Sequence, residues 1–229
     1  MKKVAILQSN YIPWKGYFDL IASVDEFILY DNVQFTKNDW RNRNKVKTPN
    51  GSNWLSIPVG TDISRLIREV QLPNNGWREN HLKVLALNYG RAPFFDEVME
   101  TVTPFYRDMT LTNLSAFNRA LIEMVCVYLG IHTKISNSWD YVLCEGRTER
   151  LVSLCQQTNA TSYISGPAAE GYLNENLFSK ANISVKWFDY LDYKVYPQLW
   201  GTFEHSVTVL DLLFNCGKDA NKFMKFKDS

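Results

Sequence analysis

The sequence predicts an α/β fold: a largely parallel sheet built from βαβ units, with a β-hairpin addition and a helical insertion. Three observations predict it. An apolar run at 4–8, helical spacing over 17–24 and a second apolar run at 27–30 make one βαβ unit of about thirty residues. After residue 131, short apolar runs alternate with helical patterns, which implies parallel pairing. Between these parts, residues 76–131 are helical in period throughout. The expectation is a single domain, 1–229, with 76–131 as a helical subregion.

Each element has a local reason. The first run, Val4-Ala5-Ile6-Leu7, is too short for a secretory signal before it meets Gln8-Ser9-Asn10, and it reads as a buried strand. Pro13 and Gly16 punctuate the turn after it, and Tyr17, Leu20, Ile21 and Val24 share one helical face. Thr48-Pro49-Asn50-Gly51 reads as a turn, and 54–59 and 67–72 read as strands of an antiparallel addition to the sheet. Helices follow at 77–89 (stopped by Gly90), 94–107 and 114–129 (stopped by Gly130). The alternating part then runs strand 133–136, helix 149–158, strand 161–165, helix 175–180, strand 185–189 and a last apolar helix over 207–214.

Composition narrows the functional classes. Twenty-five Lys and Arg against twenty-four Asp and Glu leave a net charge of +1, which argues against a general nucleic-acid binder. No run of eighteen apolar residues is present, so no membrane insertion is expected. Cys126, Cys144, Cys155 and Cys216 form no short pair, and His81, His132 and His205 are scattered, so no metal motif exists. Reduced thiols point to a cytoplasmic location. Aromatic residues reach 14%, enough to line an amphipathic pocket as well as a core.

Parallel strands place ligands beyond their carboxyl ends. Gln8, Asn10, Tyr11, Trp14 and Lys15 follow the first strand, Asp31, Gln34 and Lys37 follow the second, and Ser165 and Gly166 end a later one. Residues 37–47 hold five cations and one acid around Trp40. In an extended strand Arg41 and Arg43 would present both guanidinium forks on one face, suited to a diphosphate or carboxylate. Arg147, Glu149 and Arg150 open a helix, where Arg150 opposes the dipole preference and therefore points to another partner. His205 lies in a loop with a side chain that titrates near neutrality. His81 reads as structural. Walker, dinucleotide and nucleophile-elbow signatures are all absent.

Gln8-Ser9-Asn10-Tyr11-Ile12-Pro13-Trp14-Lys15-Gly16-Tyr17, Asp31-Asn32-Val33-Gln34-Phe35-Thr36-Lys37 and Trp40-Arg41-Asn42-Arg43-Asn44 resemble the WbqC-like family. So do Thr148-Glu149-Arg150-Leu151, Tyr163-Ile164-Ser165-Gly166-Pro167 and Asp211-Leu212-Leu213-Phe214-Asn215-Cys216-Gly217, and the match runs nearly end to end. The resemblance implies work on a nucleotide-linked or lipid-linked sugar in bacterial surface-polysaccharide (O-antigen) biosynthesis. The opening is more distantly similar to the HIGH-type nucleotidylyltransferase fold, whose loop histidines stabilise phosphates. Lys15 and Tyr17 stand about where such a histidine would be, and a lysine can act as a phosphate point charge.

The leading expectation is an enzyme that forms an N-acyl or N-aminoacyl bond on a nucleotide-linked amino sugar. Asp31, His205 and Lys15 are its candidate catalytic residues. Gln8, Asn10, Tyr11, Trp14, Gln34, Lys37, Trp40, Arg41, Arg43, Arg150, Ser165 and Gly166 are its candidate binding residues. The cofactor is open between ATP and an acyl donor; the expected partners are the nucleotide-linked sugar and, as an option, a second copy of the chain. The alternatives are a non-catalytic sugar-binding scaffold and a nucleotidyl or adenylyl transferase.

Overall fold

The computed structural model describes residues 1–226. Five parallel strands form the main sheet: β1 (Lys3–Leu7), β2 (Glu26–Leu29), β5 (Lys134–Asn137), β6 (Ser162–Ser165) and β7 (Ser184–Trp187). Their spatial order is β5-β2-β1-β6-β7. From β1 the chain therefore builds outward through β2 to β5, then returns to lay β6 against the other side of β1. Order reverses between β1 and β6, and this reversal opens a crevice at their carboxyl ends.

Strand periodicity explains the two layers. Val4, Ile6, Ile28 and Tyr163 point to one face, where they pack with Leu151, Leu154 and Phe178 of α5 (Arg147–Gln157) and α6 (Glu175–Lys180). Ala5, Phe27, Leu29 and Ile164 point to the other face, into a larger core. That core is completed by α1 (Lys15–Ala22), α4 (Leu114–Tyr128) and α7 (Val209–Cys216). Helices on both sides give the doubly wound α/β arrangement. Helices α2 (Trp77–Tyr89) and α3 (Phe95–Arg107) join the larger core and, with α4, make up the expected helical segment.

The hairpin differs from expectation. Strands β3 (Arg43–Thr48) and β4 (Gly51–Ser56) pair only with each other, as a separate two-stranded sheet. Thr48 closes the turn: its hydroxyl donates to the Gly51 carbonyl at 2.7 Å and accepts from the Asn50 N–H. Gly51 follows at φ +102, a conformation L side chains rarely adopt. Residues 67–72 are no strand. A 3₁₀ turn at Ile67–Glu69 replaces it, because the Glu69 carboxylate accepts the Leu66 N–H at 2.8 Å and curls the segment.

Two helix starts are earlier than predicted, and both matter. Helix α1 begins at Lys15, so the Trp14 indole folds back over Gly16, where any Cβ would collide with it. Helix α5 begins at Arg147 rather than 149, preceded by Gly146 at φ +91 with the Glu149 carboxylate lying over it. Its first turn therefore carries both Arg147 and Arg150.

Candidate functional site

A cavity of about 760 Å³ lies at the β1/β6 crevice. Gln8 enters it from the end of β1, Gln34 from the loop after β2, Ser165 and Gly166 from the end of β6, and Arg147 and Arg150 from the first turn of α5. Five of the candidate binding residues thus converge, although they are up to 158 positions apart in sequence. Arg150 is oriented by bonds to the Cys144 carbonyl (2.9 Å) and the Tyr30 hydroxyl (3.3 Å). The Arg147 guanidinium lies 3.8 Å above the Tyr172 ring. Two guanidinium groups beside the amino end of an eleven-residue helix create a positive site suited to phosphate. Among the described residues, the walls hold no carboxylate and no histidine.

A smaller cavity of about 300 Å³ gathers Asn10, Trp14, Trp40 and His205. Tyr190 stands between the two spaces, with its ring against Gly166 on one side and 5.4 Å from the Trp14 ring on the other. Burial, and then the Lys15 charge, lowers the His205 pKa, so its imidazole is neutral at pH 7 and able to accept a proton.

Several expected site residues occupy other positions. Asp31 is wholly buried behind the large cavity, with Oδ1 accepting the Ser9 N–H at 2.8 Å and Oδ2 accepting the Ser115 hydroxyl. Burial raises its pKa, and it braces the 8–14 loop rather than facing a substrate. Lys15 is buried too, donating to the Lys194 and Phe223 carbonyls at 2.8 and 3.0 Å. Burial lowers its pKa to about 8, and it lies in a cage with Tyr193 and Tyr196 instead of on a phosphate. Arg41 and Arg43 do not share a face, because the strand starts only at Arg43. Arg41 turns onto Asn10 Oδ1 and Asp39, while Arg43 stacks over Trp54. Lys37 is exposed and lines neither cavity.

Tyr11 is fully buried as well, inside a relay. Its hydroxyl meets His81 Nδ1 at 2.7 Å and also the Tyr106 hydroxyl, while His81 Nε2 reaches the Ser56 carbonyl at 3.1 Å. A carbonyl only accepts, so Nε2 carries the proton, Nδ1 accepts from Tyr11, and Tyr106 donates to Tyr11. Burial pushes the His81 pKa down to about 4. The unfolded chain protonates near 6.5, so between these values it binds more protons than the folded protein. Stability should therefore fall as pH drops from 6.5 to 4, by on the order of 3 kcal/mol from this group. His205 acts in the same direction, whereas the raised carboxyls of Asp31 and Asp211 oppose it. Urea unfolding at pH 6.5 and 4.5 checks the sign: His81→Gln, which keeps a donor and an acceptor but does not titrate, should show a flatter dependence. An identical slope in both proteins would refute it.

Other supports of the loop are invisible in a linear reading. The Asn44 amide donates to the Tyr11 and Ile12 carbonyls at 3.1 and 2.8 Å, and the Asn118 amide donates to Ser9 Oγ and the Arg41 carbonyl at 3.1 and 2.8 Å. They hold Ile12 at φ +36, which costs a β-branched residue about 1–3 kcal/mol and is typical of functional loops. Arg147 and Tyr172 were also outside the expected site. Among the described residues, no group of three or more His, Cys, Asp or Glu could hold a metal ion, and no helix is long and apolar enough to cross a membrane.

Comparison with known proteins adds two findings. The model of the WbqC-like protein family matches residues 8–223. A protein of Mycobacterium tuberculosis (strain ATCC 25618 / H37Rv), named "Uncharacterized protein Rv1507c", is 51% identical over 228 residues, covering 99% of each chain. No solved structure matches.

Proposed function

The chain belongs to the WbqC-like protein family, and from that premise we propose that it acylates the amine of a nucleotide-linked sugar in bacterial surface-polysaccharide biosynthesis. The observation that carries the reading is the switch-point cavity, which brings Gln8, Gln34, Arg147, Arg150, Ser165 and Gly166 to one place. Its volume suits a nucleotide sugar, with the diphosphate on the two guanidinium groups and the α5 amino end. Tyr172, already topped by Arg147, offers a flat surface to a base, while Gln8, Gln34 and Ser165 offer hydrogen bonds to sugar hydroxyls.

The sugar would extend past Gly166 and Tyr190 toward the smaller cavity, where His205 takes a proton from the attacking ammonium so that the nitrogen gains a free lone pair. His205→Gln should lower turnover about a hundredfold or more with little change in sugar affinity. A loss of only a few-fold in steady-state assays would remove His205 from that role.

Calorimetric titration with a panel of nucleotide sugars tests the binding reading, and absence of heat or thermal shift with all of them defeats it. Among the described residues, the larger cavity is lined by no carboxylate or histidine, which favours a second reading: a sugar-binding protein without chemistry of its own. That reading predicts saturable binding through Arg150 with no product formed, and mass spectrometry of the reaction mixture separates the two.

A further inference from the structure

Trp40, on the wall of the smaller cavity, packs against Trp54, and the sugar reading leaves both indoles unused. Trp40 and Trp54 are 39% and 45% exposed, with ring centroids 5.3 Å apart. Across the hairpin, Lys45 pairs with Trp54 and Arg43 pairs with Ser56, so Arg43, Lys45 and Trp54 share one face. The Arg43 guanidinium stacks 4.0 Å over the Trp54 ring, and Lys45 Nζ lies 5.5 Å from it.

Neither cationic head has a hydrogen-bond or ion-pair partner among the described residues, and Arg43 Nε is buried without an acceptor. Buried donors are almost always satisfied, so the unpaired Nε of a guanidinium held in place by a ring calls for an anion. Two acids lie nearby, and both are engaged: Asp39 by Arg41 at 3.7 Å, and Glu204 by the N–H and hydroxyl of Ser206 at 2.9 and 2.6 Å. The cavity walls of Pro13, Trp14 and Trp40 are mainly apolar, with His205 at the edge.

We infer that this face binds the second substrate, an acyl group carried on a nucleotide. The base stacks on the Trp40–Trp54 pair, the phosphates meet Arg43 and Lys45, and the acyl end enters the cavity beside His205. This inference rests on the acyl-transfer reading and names the class of its donor. The sugar nitrogen attacks the acyl carbonyl, a C–N bond forms, and the bond from acyl carbon to carrier breaks with its electron pair leaving on the carrier. His205 takes one ammonium proton and releases it to solvent, then takes the second nitrogen proton as the tetrahedral intermediate collapses and passes it to a departing thiolate, or to solvent where the leaving group is a phosphate. A coenzyme A thioester and an aminoacyl adenylate share this chemistry.

The test titrates the full-length protein with acetyl-coenzyme A and, separately, with a non-hydrolysable aminoacyl-adenylate analogue, reading heat and indole fluorescence. One of the two should bind and quench, which identifies the carrier. Arg43→Met and Trp54→Ala should each weaken that binding about tenfold with unchanged thermal midpoints, as expected for loss of one stacking or phosphate contact. Arg147→Met, in the other cavity, should leave it unchanged. Absence of binding by both donors at ~1 mM, or equal affinity in wild type, Arg43→Met and Trp54→Ala, overturns the inference. Donor binding through Arg43 without nucleotide-sugar binding through Arg150 would instead defeat the sugar reading alone.

Discussion

Replacing Arg147 and Arg150 together by methionine is expected to weaken nucleotide-sugar binding about a hundredfold. A hydrogen bond to a charged group contributes about 1.5–3 kcal/mol, and two such contacts convert to about two orders of magnitude after allowing for the exposure of Arg147. The single Arg150→Met change should cost about tenfold or more. Because Arg150 also holds the Cys144 carbonyl and the Tyr30 hydroxyl, Arg150→Lys separates the roles. Lysine preserves the charge but not the fork, so affinity should recover only in part. Calorimetry at fixed salt, with thermal melts as the folding control, gives the answer. A folded double variant that binds every nucleotide sugar as tightly as wild type would end the proposal that these guanidinium groups hold the diphosphate.

The second large effect concerns Asp211, which is completely buried at the start of α7. Its Oδ1 accepts from the Tyr196 hydroxyl at 2.8 Å and from Gln198 Nε2 at 2.9 Å, and its Oδ2 accepts from the Tyr89 hydroxyl at 2.9 Å. Tyr89 in turn accepts the Lys47 N–H at 2.9 Å, so one carboxyl ties α7, α2, the hairpin and the 196–198 loop together. Asp211→Ala strands two buried hydroxyl donors, those of Tyr89 and Tyr196, at about 1–3 kcal/mol each, for a total of about 2–6 kcal/mol, while Gln198 keeps the Glu204 carbonyl. Ordinary domains have only about 5–15 kcal/mol of stability, so the variant should be largely unfolded at moderate temperature. Asp211→Asn retains an acceptor oxygen and should be milder, since the Tyr89 hydroxyl can rotate to accept from the new amide. Urea denaturation reads both. An alanine variant within about 1 kcal/mol of wild type would show that water replaces the carboxyl without loss.

Much of the sheet was legible because Val4 and Ile6 alternate with Ala5 and Leu7, a period that declares a strand covered on both sides. The meeting of Gln8 with Ser165 followed from both lying at carboxyl ends of parallel strands, although which strands are neighbours depends on long-range packing. Asp31 misled for a physical reason. A polar residue after a strand reads as exposed, and only the fold reveals that Ser9 and Ser115 arrive to satisfy it. Arg41 and Arg43 look equivalent by spacing, yet the hairpin begins between them, so the backbone turns one toward Asn10 and leaves the other on Trp54. Arg147 was underrated because Glu149 is the stronger helix-start signal, while the true start needs Gly146 at positive φ.

The first helix also has a debt to the far end of the described chain. Asp19 Oδ1 accepts the N–H groups of Lys225 and Phe226, both at 2.9 Å and 206 and 207 positions away, and the Lys15 ammonium needs the Phe223 carbonyl. Without those residues, two ionisable groups within about one helical turn lose part of their hydrogen bonding. The first helix is thus completed by contacts of very long sequence separation, which carry a large loop-closure entropy and close late in folding.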